Sequence, residues 1–449
     1  MRLESVTVRL LLAGACSLLL LIAGTLSAQE EAPPLPAAGP LVLDPDSAAA
    51  LAVQNSTQLG IDAQTLIQAE AQLRQAAAID NPRLGLSATL VRRGPEPNLP
   101  EGFESFYIKT IHSESLTASK LLWDWGKTRA MRDAAREGVD LARLSAEVTR
   151  HGLALLARES VLMLAHDEYL LDVDYQMLAS LMEHQRVAEK RYREGLVAFF
   201  EVAQAESHVE AARTGVADRL AGIDQWRVAL RRVLNIDQTT PIEVSVGREP
   251  DKPDMTLEEA IAYALEERPE MKQARTALRL QEASMRLARN SLNPTVSVQA
   301  QVTDQTASFA SRPITYQIAL AFEQPLYDGG TNKAEVREAI AGAEAARLQL
   351  EQLSEAIAAE VATQYVQLDE LPQRIVSAEA SLRAALEQLR IARLRFEEDM
   401  SLGYEVIDAQ AAVTEGQTAR ANAKLDLQLT ITRLRAAMGM DQVREATEE

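Results

Sequence analysis

Five histidines, one cysteine and a scatter of serines are the residues from which this 449-residue chain could build an acid–base, metal or nucleophilic centre. His112, His151, His166, His184 and His208 include no pair four apart on a helix, and no cysteine partner completes a zinc set. No serine sits in a nucleophile elbow, and no glycine-rich phosphate loop follows a strand. Each histidine reads as a surface or interface residue. The expectation is a chain with no catalytic residues, no cofactor and no metal: not an enzyme.

The chemistry that remains is charge. Asp and Glu number 65 against 46 Lys and Arg, a net charge of -19. Residues 1–28 hold two Arg and one Glu, so a chain that has lost them carries -19 - 1 = -20. A protein this acidic repels phosphate backbones, which excludes nucleic acid as a partner. The acid belongs either to a solvated helix surface or to a water-filled interior, and the architecture has to decide between them.

The positioning elements begin after a secretory leader over residues 1–28. Arg2 and Arg9 flank its start, an apolar stretch runs from Leu10 to Ile22, and Leu26-Ser27-Ala28 offers small residues for cleavage before Gln29. A lipid anchor would use Cys16, but the position three before it is Ala rather than Leu, and the apolar run continues six residues beyond. Without Cys16 no cysteine remains, which suits an exported protein independent of disulfides. No later stretch reaches the ~18 apolar residues a spanning helix needs. A membrane crossing would therefore have to be a β-barrel.

The rest of the chain is one unit built twice. After a segment over 29–43, repeat 1 covers 44–236, a linker 237–255 follows, repeat 2 covers 256–440, and a tail occupies 441–449. Asn81-Pro82 matches Asn293-Pro294. Trp123-Asp124-Trp125-Gly126-Lys127 matches Tyr327-Asp328-Gly329-Gly330-Thr331, and Leu234-Asn235-Ile236 matches Met438-Gly439-Met440. Within each unit a helix, 44–80 or 256–292, starts at Asp44 or Asp46 and at Thr256 and closes at the Asn-Pro pair.

The period then changes to two. Val296, Val298, Ala300 and Val302 alternate with polar residues, as do Ile314, Tyr316, Ile318, Leu320 and Phe322 with their neighbours. The first copy alternates at Leu84, Leu86, Ala88 and Leu90, whereas His112 and Glu114 interrupt the apolar parity of 108–121. About ten residues, apolar on one face, is the pattern of outer-membrane barrel strands; an amphipathic hairpin packed on a soluble core is the other reading.

Each hairpin is followed by a helix of some seventy residues, 124–194 and 328–398, roughly 105 Å long. Pro372 should kink or open the second. Shorter helices, 200–233 and 404–437, return. The economical arrangement sets one long helix beside two short ones stacked end to end, with the proline-rich linker in a belt at mid-height. Aromatic residues are 4% of the chain, so the Ala- and Leu-rich helices must pack closely, in coiled-coil fashion. The fold class is mainly α with a small β part. Four strands per chain cannot close a barrel, so the chain must oligomerise, and a trimer with twelve strands is the simplest closure that leaves room for water.

Gln324-Pro325-Leu326-Tyr327-Asp328-Gly329-Gly330, Leu122-Trp123-Asp124-Trp125-Gly126-Lys127, the Asn-Pro pairs and the segments Gly195-Leu196-Val197-Ala198 and Glu405-Val406-Ile407-Asp408-Ala409-Gln410 resemble the TolC outer-membrane factor family. The resemblance spans essentially all of the chain after the leader. It implies a homotrimer in outer-membrane lipid, a twelve-stranded barrel and a long periplasmic helical tunnel. It also implies docking on a periplasmic adaptor that links it to an inner-membrane pump or ATPase, in efflux or type I secretion.

By the same resemblance Gly195, Leu196, Val197 and Ala198, with Ser401, Leu402 and Gly403, form adaptor-contacting tips, and Glu405, Asp408 and Glu201 line the periplasmic entrance. Glu405 and Asp408 are three apart on one helix face, so three copies would make two acidic rings that attract cations. Where the family closes its entrance with a Tyr and an Arg reaching an acid, this chain has Phe396 and Ser401, with Glu201 as the acid. That departure implies a looser or differently latched resting state. Trp123, Trp125, Pro325, Tyr327, Gly329 and Gly330 form the strand-to-helix junction, its aromatics placed as an interfacial belt requires. The competing class is a periplasmic coiled-coil scaffold or adaptor without a barrel, which leaves the period-two segments and the duplication without a role.

Overall fold

A computed structural model describes residues 41–94, 110–246, 252–307, 310–311, 314–398, 400 and 403–440. The leader, Pro250, Asp399, Ser401, Leu402 and the tail 441–449 lie outside the described residues.

Each repeat opens with two helices rather than one. α1 (Pro45–Asn55) and α2 (Thr57–Ala77) divide the helix expected over 44–80. Two further helices, α5 (Leu257–Glu267) and α6 (Pro269–Asn290), divide the one expected over 256–292. In the second copy Pro269 keeps Arg268 in extended backbone, with φ -60 and ψ 129. In the first, Ser56 is extended and its hydroxyl accepts the Leu59 N–H at 3.2 Å, restarting the helix. Asp44 and Thr256 are the outer N-caps, each in a reciprocal capping box with Ser47 and Glu259.

The long helices α3 (Lys127–Arg193) and α7 (Thr331–Glu397) have 67 residues each, about 100 Å of helix. Pro372 does not open α7: helical backbone runs through it without a break. The ring leaves only the Leu368 carbonyl without its N–H partner, while Leu368 and Leu371 are buried, so packing holds the helix together. The returning helices are α4 (Phe199–Leu234) and α8 (Gly403–Ala437).

Side by side, the helices form a single row. α3 packs on α4 and α2 along one flank and on α8 and α6 along the other, and α7 covers the far side of α8 and α6. The short helices stack end to end as expected. The Asn55 amide donates to the Leu234 carbonyl at 3.3 Å, and the Asn235 amide to the Asn55 carbonyl at 2.8 Å. In the other stack Arg268 donates to the Ala437 carbonyl and to Glu360, and a Cβ on Gly439 would lie 3.2 Å from the Arg268 Cα. A core of Ala260, Ala264, Ile357, Val361, Leu434 and Met438 seals this seam, with alanines letting the backbones approach closely. Beyond the sequence expectation, β1 (Leu41–Leu43) pairs with β4 (Ile242–Val244) in a small separate sheet.

The main sheet is antiparallel, in the order β2 (Arg83–Arg92), β3 (Thr110–Trp123), β5 (Thr295–Ala307) and β7 (Thr315–Glu323), with the two-residue β6 (Ala310–Ser311) beside β5. Its register explains the imperfect β3. The rows Leu84–Ala118–Ala300–Ile318 and Leu86–Leu116–Val302–Tyr316 are apolar, whereas Glu114 joins Asp304 in the next row, with His112 one row beyond. The charges therefore sit at the end of the sheet away from the helices, past the apolar band. The opposite face holds Gly85, Thr117, Gln301 and Gln317 in one row and Ser87, Ser115, Thr303 and Thr315 in the next. Tyr316, Ile318 and Leu320 are 82%, 74% and 71% exposed, so the apolar face is bare in a single chain.

Candidate functional site

Three groups of residues occupy the places where function was expected: the junction of sheet and helices, the helical tips, and the first turns of α8. At the junction the chain passes from strand into helix, and both copies do so with two successive left-handed residues. Trp125 and Gly126 have φ 50 and 87, and Gly329 and Gly330 have φ 72 and 93. An aspartate stabilises each turn. Asp124 accepts the N–H groups of Gly126 and Thr128 at 3.1 and 2.6 Å, and Asp328 those of Gly330 and Asn332 at 2.9 and 2.7 Å.

Trp125 carries a left-handed backbone that glycine holds in the second copy, and its ring stands edge-on to Trp123 and Phe322, at 6.3 and 6.4 Å. Pro325 is exposed, as are Leu326 and Tyr327 at 90% and 88%, so the second junction offers apolar residues outward.

At the first tip Gly195 (φ 76) lets the chain turn, and the Leu196 N–H reaches the Arg191 carbonyl at 2.9 Å. The second tip closes in the same way: the Met400 N–H reaches the Arg395 carbonyl at 2.8 Å. Leu196 and Ala198 are exposed and Val197 is half-buried. Four exposed apolar residues that sequence reasoning left aside join them, Phe199, Phe200, Met400 and Tyr404, with the Phe199 ring tilted against Tyr192 at 5.6 Å. Their signal was available as an apolar run beside a glycine turn with no helix partner in sequence.

Above the tips the α3–α4 hairpin is tied to the α7–α8 hairpin. The Arg191 guanidinium donates to the Phe396 carbonyl at 2.9 Å and lies 4.2 Å from the centre of its ring. Ser180 and Arg393 both donate to the Gln410 side chain, at 2.9 and 3.1 Å. Phe396 is thus engaged by a cation of α3, and no hydrogen bond or ion pair joins it to Glu201 among the described residues. Glu201 lies half-buried in the first turn of α4, which meets α8 where Val209 packs on Ile407.

Glu405 and Asp408 follow Gly403 on α8. Asp408 is exposed and Glu405 half-buried. With Tyr404, Ala411 and Glu415 they make the accessible stripe of these turns, while Val406, Ile407, Ala409 and Gln410 are buried against α3, α4 and α7. Neither acid has an ion-pair or hydrogen-bond partner among the described residues. No group of three or more His, Cys, Asp or Glu able to hold a metal occurs among the described residues.

The model of one family, described as outer membrane efflux protein, matches residues 49–235 and 260–440. Outer membrane protein OprJ of Pseudomonas aeruginosa is 25% identical over 394 residues, covering 84% of this chain and 81% of OprJ. Among solved structures, CusC superposes with a TM-score of 0.78 at 20% identity, over 92% of this chain and 98% of that one. VceC of Vibrio cholerae gives 0.77 at 20%, over 88% and 96%.

Proposed function

The chain belongs to the outer membrane efflux protein family and is an outer-membrane protein, and from that premise we propose that three copies close into a passive exit duct. Solutes handed over by an inner-membrane pump or ATPase and its periplasmic adaptor pass through the helical tunnel and leave by the barrel.

One observation carries this reading: a sheet with a bare apolar face, whose β2 and β7 each pair on one side only among the described residues, continues into a single row of helices whose outer members likewise pack on one side only. Unpaired strands are excluded from lipid, so β7 of one copy must meet β2 of the next. Four strands each give twelve in a ring of three. The helix row closes by the same rotation, setting α7, with exposed Leu348, Val366 and Val376, against α2 and α4, with exposed Ile61, Ile67 and Val228. The uncharged Ser, Thr and Gln rows then line the barrel. A soluble scaffold offers no place for the bare apolar face.

The two tips, Gly195–Ala198 and 401–403, are the adaptor-docking surface: around them Leu196, Phe199, Phe200 and Met400 offer an exposed apolar patch suited to a helical hairpin. Glu405 and Asp408, with Glu201, make acidic rings at the entrance.

Planar-bilayer conductance of the purified chain tests both levels. We expect stable cation-selective channels whose selectivity falls in the double variant Glu405→Gln, Asp408→Asn. Unchanged selectivity would remove the rings from the entrance, and a chain that runs as a monomer and never conducts would sink the duct.

A further inference from the structure

His184 is half-buried on α3 at the level where all four helices of the tip converge. Its ring centroid lies 5.5 Å from that of Phe396 at the end of α7. It also fills the space beside the first residue of α8: a Cβ built on Gly403 would come within 2.8 Å of His184 Cε1 and 2.9 Å of Nε2. The imidazole is therefore wedged between the two hairpins, on the same aromatic ring that Arg191 covers.

Among the described residues, the two side chains that act on this ring both oppose its protonation. From its own helix it feels Arg191, and from α4 it feels His208. From α7 it meets the Phe396 ring and from α8 the Gly403 backbone, neither of which titrates. Gly403 also opens α8, whose unsatisfied N–H groups carry partial positive charge. The adjacent carboxylate, Glu183, is taken up by Arg186, and Arg393 is held by Gln410.

We propose that His184 is a proton-sensitive wedge: neutral, it packs the α7–α8 hairpin onto α3, and protonated, it drives the two apart and loosens the entrance. Burial first, then His208 and Arg191, hold its pKa below the ordinary histidine value of 6.5 in the packed tip. A separated tip would return it toward that value. The packed tip is accordingly at full strength above pH 6.5 and weakens as pH falls below it. An acidified periplasm would favour the open form.

The inference rests on the duct reading for its meaning, but its test does not. Spin labels at Val197→Cys and Met400→Cys, in the full chain with Cys16→Ser, report the separation of the two tips of one hairpin pair. Between pH about 8 and about 5, spanning the histidine range, the short-distance population should be lost in the otherwise native chain and retained with His184→Gln. His208→Gln, by removing a neighbour that opposes protonation only in the packed tip, should weaken the acid response and move its midpoint to lower pH.

Distances that ignore pH, or that shift equally with His184→Gln, overturn the proposal. An acid-dependent distance in a protein that never conducts would leave the wedge standing and remove the duct. A conducting channel with pH-independent distances would remove the wedge alone.

Discussion

Asp124 and Asp328, 328 - 124 = 204 residues apart, hold the same two backbone N–H groups, those two and four residues further on, at 3.1 and 2.6 Å in one case and 2.9 and 2.7 Å in the other. A cap so placed fixes the angle at which each hairpin leaves its long helix. Asp328→Ala should leave two backbone N–H groups without their acceptor and lower the midpoint of helical unfolding in the assembled protein. Asp328→Asn, which keeps one acceptor oxygen, should recover part of the loss. A midpoint unmoved by the alanine change would mean that the junction is held by its aromatics instead.

The two faces of the sheet should respond oppositely to charge. Ile318 lies in the apolar row with Ala300, and Gln317 lies in the polar row with Gln301. Ile318→Arg should cost about 2–4 kcal/mol if that row sits at mid-membrane and reduce the assembled trimer recovered from membranes. Gln317→Arg should assemble normally and lower cation conductance. Equal tolerance of both would contradict the assignment of faces.

How much of this was legible in the sequence follows from the range of the forces involved. The Asn-Pro stops and the equal long helices rest on backbone chemistry within a few residues, and these appear where expected. Ser56 gave no warning because serine is tolerated inside helices, and only its bond to the Leu59 N–H makes it a cap. At Pro372 the converse holds for the opening: local chemistry argues for one, and buried neighbours override it. His112 and Glu114 looked like errors of alternation until the register placed them beyond the apolar band. The tie from Arg191 to Phe396 spans 205 positions, and no local pattern encodes it.

Close helix packing has a sharp test in Gly416. A Cβ there would meet the Leu382 backbone at 3.0 Å, where α7 and α8 are in contact, whereas one on Gly222 meets nothing within 4 Å. Gly416→Ala should therefore destabilise by about 1–3 kcal/mol through overpacking. Gly222→Ala should stabilise by up to about 1 kcal/mol through helix propensity alone. Thermal unfolding of the two variants should move in opposite directions. Stabilisation in both would show that α7 and α8 can slide apart at little cost.

The tie between hairpins sets the last expectation. Arg191 contributes a hydrogen bond to a carbonyl and a cation over a ring, both within one partner, Phe396. Phe396→Ala removes the ring contact but keeps the carbonyl, so the tip should loosen by about 0.5–1 kcal/mol. Arg191→Ala removes both contacts and should loosen it further. If the entrance opens as the hairpins part, open-channel occupancy should rise in the order native, Phe396→Ala, Arg191→Ala. The double variant should fall short of the sum of the two single changes, because the guanidinium–ring contact is lost in either, while still losing the packing of the ring on His184. Strictly additive effects would mean that the two residues act on the entrance separately, and a decrease in either single variant would mean that the tie holds the duct open rather than shut.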